Sequence, residues 1–178
     1  MKAVSSIKKR ESVKTDYDTI ANDYCAEFGR KYEDIDVINK FMSNLKSNAK
    51  ILDLGAGTGK LTDLFIKKGY ESICYDFSKE MMKKSQEYYP NLPYVLDDMI
   101  NMKEHFDNNT FDGIIAFYSL FHIPREDLSN VFSDISDLLK DNGILCFVVQ
   151  LGSGEAFIDE PYLKEQGKGV LYFNFFAK

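Results

Sequence analysis

The chain has 178 residues, enough for one domain around one sizeable core. It is 44% hydrophobic and 28% charged, an ordinary globular balance, and its net charge of -6 argues against binding bare nucleic acid or an anionic membrane surface. The three cysteines, Cys25, Cys74 and Cys146, are odd in number and widely spaced, which fits neither a disulfide framework nor a metal site, and Cys74 and Cys146 lie in apolar runs that suit buried thiols.

Residues 1–14 read as a flexible basic tail with no apolar stretch behind it, so no secretory signal is expected. No run approaches the ~20 apolar residues of a bilayer span, and the expected location is the cytoplasm. A helix is predicted from Thr15, with Asp16 or Asp18 near its start and Tyr17, Ile20, Ala21 and Tyr24 along one face. A second helical stretch covers residues 35–45. Lys50–Leu54 is short, apolar and followed at once by glycines, which predicts a buried strand opening into a turn. Residues 60–68 read as a helix ended by Gly69, and residues 72–75 as a second strand followed by Asp76. Ser78 can cap the next helix, which runs to about Tyr89. Tyr94–Leu96 is a third strand ending at Asp97-Asp98, and residues 111–118 hold a fourth, buried one. Pro124 opens a helix over residues 125–139, Asn142-Gly143 is a turn, and residues 144–149 form a fifth strand. Strands alternating with helices at this spacing predict an α/β fold: a doubly wound, mostly parallel sheet of about five strands, with helices on both faces.

The strongest local signal is Asp53-Leu54-Gly55-Ala56-Gly57-Thr58-Gly59, set between a strand and a helix. Glycines let the backbone turn tightly and approach a ligand, and the carboxyl end of the first strand is where ligands bind in open α/β sheets. A dinucleotide fingerprint needs a third glycine where Lys60 stands, and a P-loop needs a hydroxyl where Leu61 stands. The spacing leaves room for a methionine moiety rather than a diphosphate. Asp76, at the end of the second strand, can accept hydrogen bonds from both hydroxyls of a ribose. Asp98 can accept from an adenine amino group; Asp97 competes for that role, and either acid can instead cap a helix. Phe77 and Met99 flank these acids as apolar walls for a purine. Together these groups describe an adenosine site without phosphate chemistry.

These residues resemble those of class I S-adenosylmethionine-dependent methyltransferases, and Tyr17-Asp18 with Tyr24, residues 118–124 and residues 147–152 with Gln150 resemble a bacterial subgroup of small-molecule-type enzymes. Residues 51–62 resemble the glycine motif of that family, and Tyr75-Asp76-Phe77-Ser78-Lys79-Glu80-Met81 the acidic motif that follows. Leu96-Asp97-Asp98-Met99 resembles the adenine-contacting segment, residues 111–118 the fourth-strand motif, and residues 138–145 the turn before strand five, with Asp141-Asn142 in place of its usual Pro-Gly. The resemblance runs from about Thr15 to the end. It implies S-adenosylmethionine as cofactor and S-adenosylhomocysteine as product. It further implies cofactor contacts at Asp53, Gly55, Ala56, Gly57, Gly59, Asp76, Phe77, Met81, Asp98, Met99 and Phe117. The early helix would fold over the cofactor as a lid carrying Tyr17 and Tyr24; surface packing is the alternative for these two tyrosines. Within 15–178, the resemblance implies lid helices at 15–48, the core sheet at 49–151 and an incomplete part at 152–178. The family's sheet has seven strands. Residues 152–169 read instead as a loop rich in Gly and acids, and about 40 residues of a typical C-terminal hairpin and helix have no counterpart. Strand five would then present an open apolar edge; the expectation is a chain truncated at its C-terminus, with cover by a second copy of the chain or by the aromatic tail at 172–176 as the alternatives.

Methyl transfer is a displacement that needs positioning and exclusion of water, and a base only where the acceptor must lose a proton. His122 is the candidate base, because an imidazole titrates near neutral pH, although a lone histidine is more often structural. Tyr118 and Gln150 can orient a substrate, His105 reads as solvated, and Asp112 as structural. No metal site is expected. Three functions stay open: a methyltransferase acting on a small molecule, a cofactor-binding protein without activity, and another Rossmann-like nucleotide binder.

Overall fold

The computed structural model describes residues 4–159 and 170–176. In chain order its elements are α1 (Ser6–Phe28), α2 (Ile35–Ser43), β1 (Lys50–Leu54), α3 (Lys60–Lys67), β2 (Glu71–Asp76), α4 (Lys79–Tyr88), β3 (Tyr94–Leu96), β4 (Phe111–Phe117), α5 (Arg125–Leu138), β5 (Leu139–Val148), β6 (Glu155–Asp159) and β7 (Val170–Asn174). Short 3-10 turns at Met99–Glu104 and Leu120–His122 follow β3 and β4. The first five strands pair in parallel, as expected, and their order is β3-β2-β1-β4-β5. The order reverses at β1, so the ends of β1 and β4 frame the crevice where ligands bind in this architecture.

Both faces of the central strands are buried, because alternate side chains point to opposite layers. Leu52, Leu54, Ile114 and Ala116 pack toward α5 through Val131, Ile135 and Leu138. Ile51 and Ile115 pack toward α2 and α3 through Ile38, Phe41, Leu61 and Phe65. Ser78 caps α4 as its position suggested, accepting from Met81 N at 3.1 Å.

The expected basic tail is a correction. α1 begins at Ser6, and Arg10, Val13, Asp16, Ile20, Ala21 and Cys25 form its buried face. That stripe starts well before Thr15, and two charged side chains on it masked the apolar period. Asp16 and Asp18 are mid-helix rather than caps of α1. Asp18 instead reaches across to the start of α4, accepting from Ser78 Oγ at 2.6 Å and Glu80 N at 3.1 Å.

Two further corrections concern the C-terminal part. The Asn142-Gly143 turn does not precede β5 but is absorbed into it. Asn142 has φ +64°, and the pairing slips between Phe111↔Leu139 and Gly113↔Ile144. Part of the expected loop after β5 is β6, which pairs antiparallel with β7 in a separate two-stranded sheet. The aromatic tail therefore does not run along the edge of β5. It packs on α1 through Leu171 and Tyr172, which are buried against Val13 and Ile20, and joins the chain beyond β5 by one bridge, Leu151↔Phe176.

Candidate active site

β1 stops at Leu54 and the chain turns sharply, with φ +76° at Gly55 and +75° at Gly59. Gly55 N and Ala56 N both donate to the Tyr75 carbonyl, at 2.7 and 3.1 Å, pinning the turn to β2. A Cβ on Gly55 would lie 2.3 Å from Ser119 Cβ, so only glycine lets the segment after β4 press on this turn; Ser119 Oγ then donates to the Leu54 carbonyl at 2.7 Å. Gly59 does different work from that expected. Its missing side chain makes room for Ser85 Oγ and Leu92, 2.3 and 2.6 Å from a Cβ there, and it lines no part of the cleft described below.

The acids divide by partner. Asp53 is 2% exposed, and one of its carboxylate oxygens accepts from Thr62 N at 3.2 Å and Thr62 Oγ at 2.8 Å. Burial pushes its pKa up to about 7 against these bonds. Its carboxylate therefore holds the first turn of α3, although the residue borders the cleft. Asp76 accepts from Gly57 N on one oxygen and from Ser78 N on the other, both at 2.8 Å. Burial raises it to about 6, with the backbone bonds opposing. Asp97 is spent locally: it accepts from Asn101 Nδ2 at 3.0 Å and from its neighbour Asp98 N at 2.7 Å, and it pairs with His105 at 2.7 Å. Asp98 accepts from Arg10 Nε at 2.8 Å and from Ile100 N at 3.3 Å.

These loop ends open on a cleft with two lobes. The first is bordered by Gly55, Gly57, Asp76, Phe77, Met81, Asp98, Met99 and His122. The second is bordered by Asp53, Ala56, Lys60 and a wall of rings that includes Phe28, Tyr32, Phe121 and Phe173. Tyr17, Tyr24, Phe117 and Tyr118 border both lobes and mark their junction. Every expected site residue except Gly59 thus lies on the cleft, whereas Gln150 is exposed away from it.

His122 is 6% exposed, packed against Phe121 and Phe173. Its Nδ1 lies 2.8 Å from the Tyr172 carbonyl, which can only accept, so Nδ1 carries the proton. Nε2 is then an acceptor, and the Tyr17 hydroxyl donates to it across 2.9 Å. Burial lowers the imidazole pKa to about 4, only partly opposed by the Tyr172 carbonyl, so the ring is neutral at pH 7. Tyr118 has φ +57°, a costly conformation for an aromatic residue, and is 42% exposed. Its hydroxyl donates to Asp34 Oδ2 at 2.7 Å, and burial with this bond raises its pKa to about 12. His105 is exposed, and Asp112 ties Lys50 N to Lys140 at 2.9 Å each.

Sequence reasoning missed Arg10, Thr62, Ser119 and the Tyr172 carbonyl. Thr62 sits nine residues after Asp53, a local signal. Ser119, Arg10 and Tyr172 act on partners far along the chain, which no local pattern reveals.

A family model described as a methyltransferase domain matches residues 51–143, just over half of the chain. The demethylmenaquinone methyltransferase of Paenarthrobacter aurescens is 26% identical over 148 residues, covering 74% of this chain and 53% of that protein. The chain spans about half the length of the curated relatives it matches. Among solved structures, the PH0226 protein of Pyrococcus horikoshii superposes with a TM-score of 0.62 at 24% identity, covering 81% of this chain and 74% of that one. The 1,6-didemethyltoxoflavin-N1-methyltransferase of Burkholderia thailandensis, solved with 1,6-didemethyltoxoflavin and S-adenosylhomocysteine, superposes with a TM-score of 0.73 at 16% identity, covering 98% and 76%. At these identities the likeness is one of fold. The matched region contains β1, the glycine turn, Asp76, Asp98 and β4, and with it the chain belongs to the class I S-adenosylmethionine-dependent methyltransferase family.

Proposed function

We propose that this chain holds S-adenosylmethionine in the first lobe of the cleft and presents a small-molecule acceptor to it from the second. One observation carries the reading: the ends of the adjacent parallel strands β1, β2 and β3 bring the glycine turn, Asp76 and Asp98 onto one cleft. The donor set fits this cofactor better than a dinucleotide. Among the described residues, the basic side chains on the two lobes are Arg10 and Lys60. Arg10 is held by Asp98 and Asp127, and Lys60 by the carbonyls of Phe28 and Lys31. A diphosphate would find little to neutralise it, while rings and carboxylates favour a cation.

Each Asp76 oxygen accepts one backbone N–H and keeps a lone pair for a ribose hydroxyl. Asp98 faces the purine amine, with Phe77, Met81 and Met99 as apolar walls. When bound, the sulfonium supplies an already activated methyl group. The protein's part is therefore to align the acceptor and exclude water, for which the ring-lined junction of the lobes is suited. Tyr118, held by Asp34 at that junction, orients the acceptor. Tyr17 reaches both lobes whereas His122 borders only the first. A proton leaving the acceptor moves onto the Tyr17 oxygen as the proton of Tyr17 moves to His122 Nε2. The resulting imidazolium keeps its Nδ1–H on the Tyr172 carbonyl. Its new positive charge replaces the one lost on methyl transfer, so the charge of the closed site is unchanged.

The test is competition at equilibrium. S-adenosylhomocysteine should bind the purified chain and NAD should fail to displace it; displacement by NAD at comparable concentration would overturn the reading.

A further inference from the structure

We propose that Arg10 is a further specificity-determining residue of the cofactor site: its guanidinium forms the α1 side of the purine subsite, and its pair with Asp98 couples purine binding to the docking of α1. This rests on the cofactor reading above. Arg10 is 7% exposed and borders the same lobe as Asp76, Phe77, Asp98 and Met99. Its Nε donates to Asp98 Oδ2 at 2.8 Å, and its Nη1 donates to Asp127 Oδ2 and Ser6 Oγ. Ser6 Oγ donates to the same Asp127 oxygen.

Burying a guanidinium costs several kcal/mol unless it is paired, so α1 docks with Arg10 inside only because both acids pair with it there. Asp98 stands at the end of β3 and Asp127 in the first turn of α5. The arrangement does two things for a purine. The planar guanidinium offers a surface suited to an aromatic ring, opposite the apolar walls of Phe77 and Met99. The Asp98 carboxylate, held in place by this pairing, is an acceptor for the exocyclic amine of adenine. Docked α1 and bound purine thus draw on one carboxylate and one wall. Whatever favours one favours the other, and linkage makes the effect reciprocal.

The experiment compares the full chain with its Arg10→Gln and Asp127→Asn variants. Calorimetry would use S-adenosylhomocysteine and adenosine, and hydrogen exchange would follow amides 6–14. Arg10→Gln should weaken both ligands about tenfold, the scale of one lost charge-assisted contact. S-adenosylhomocysteine should slow exchange at 6–14 in the unmodified chain and fail to do so in Arg10→Gln. Asp127→Asn keeps the Asp98 pair, so it should speed exchange in α1 and, through the linkage, weaken adenosine by clearly less than Arg10→Gln does. Equal affinities for the unmodified chain and Arg10→Gln would overturn the proposal. So would an equal loss in both variants, which would mark a general loosening of α1. Failure of the unmodified chain to bind either ligand would instead overturn the cofactor reading beneath it.

Discussion

The Tyr17 hydroxyl and the Tyr172 carbonyl grip His122 from opposite sides, at 2.9 Å from Nε2 and 2.8 Å from Nδ1. This pair of bonds leaves one tautomer, with the proton on Nδ1. Nitrogen NMR of His122 should show a neutral Nδ1–H ring at pH 7. A hydrogen bond donated to the neutral imidazole disfavours its protonation, so Tyr17→Phe should raise the His122 pKa by about one pH unit. Tyr24→Phe is the control, because Tyr24 meets the ring of Tyr17 edge-on at 5.7 Å without carrying the bond to His122. The charged side chains sharing this lobe are Arg10, Asp76, Asp97 and Asp98. They are the same in both variants. An Nε2–H ring, or equal shifts in the two variants, would contradict the proposed proton path.

The same histidine shapes the pH dependence of stability. Its folded pKa, about 4, lies below the ordinary 6.5. Between those values the unfolded chain binds more protons, so the contribution of His122 is present above pH 6.5 and lost as pH falls through 4. Asp53 and Asp76, raised from 3.8 to about 7 and about 6, act in the opposite sense: the folded chain binds their protons more tightly and gains stability as pH falls toward 4. His122→Asn should therefore remove the acid-destabilising part, leaving a protein whose stability rises on acidification. The difference from the unmodified chain should reach about 3.4 kcal/mol at most, from the fall of the pKa from 6.5 to about 4. Urea unfolding at several pH values reads it directly.

The glycines should separate by what surrounds them. Gly55→Ala sets a methyl group against Ser119 Cβ at a positive φ, and should cost about 3 kcal/mol. Gly69 also has positive φ, +88°, but nothing lies within 4 Å of a Cβ there, so Gly69→Ala should cost only about 1 kcal/mol of backbone strain. Thermal unfolding of the two variants checks the order; equal losses would mean that the contact of Gly55 with Ser119 is slack.

Thr62→Val keeps shape while removing the hydroxyl that donates to buried Asp53. Leaving that carboxylate short of a donor should cost about 1–3 kcal/mol. It should also raise the Asp53 pKa further, so the loss should grow toward alkaline pH. A loss independent of pH would mean that the backbone bond from Thr62 alone sustains the charge.

The parts of this site legible in the sequence are those written locally. The strand before Gly55, the alternating glycines and an acid at the end of the next strand stand within a few residues of the features they imply, and parallel pairing then brings them together. Asp98 was legible as one of two candidates; the structure shows Asp97 engaged by His105 and Asn101 and Asp98 paired with Arg10. What escaped was carried by distant partners. Residues 6–14 are rich in charge, yet Arg10 is buried because Asp98 and Asp127 lie 88 and 117 residues away in sequence and neutralise it. The segment of β6 reads as loop because it is rich in glycine and acids, and its pairing with β7 satisfies a backbone that periodicity alone does not assign. Gly59 fitted the glycine motif by spacing, but its role is set by Ser85 and Leu92 on and just beyond α4.

The most direct test of the account is calorimetric titration with S-adenosylhomocysteine of the chain and its Asp76→Ala variant, each shown to be folded. The account predicts saturable one-site binding to the unmodified chain. It also predicts a loss of tenfold or more in the variant, the scale of about 1.4 kcal/mol or more for the lost ribose contacts. Binding that is absent from the folded chain, or equal in the two proteins, would contradict it.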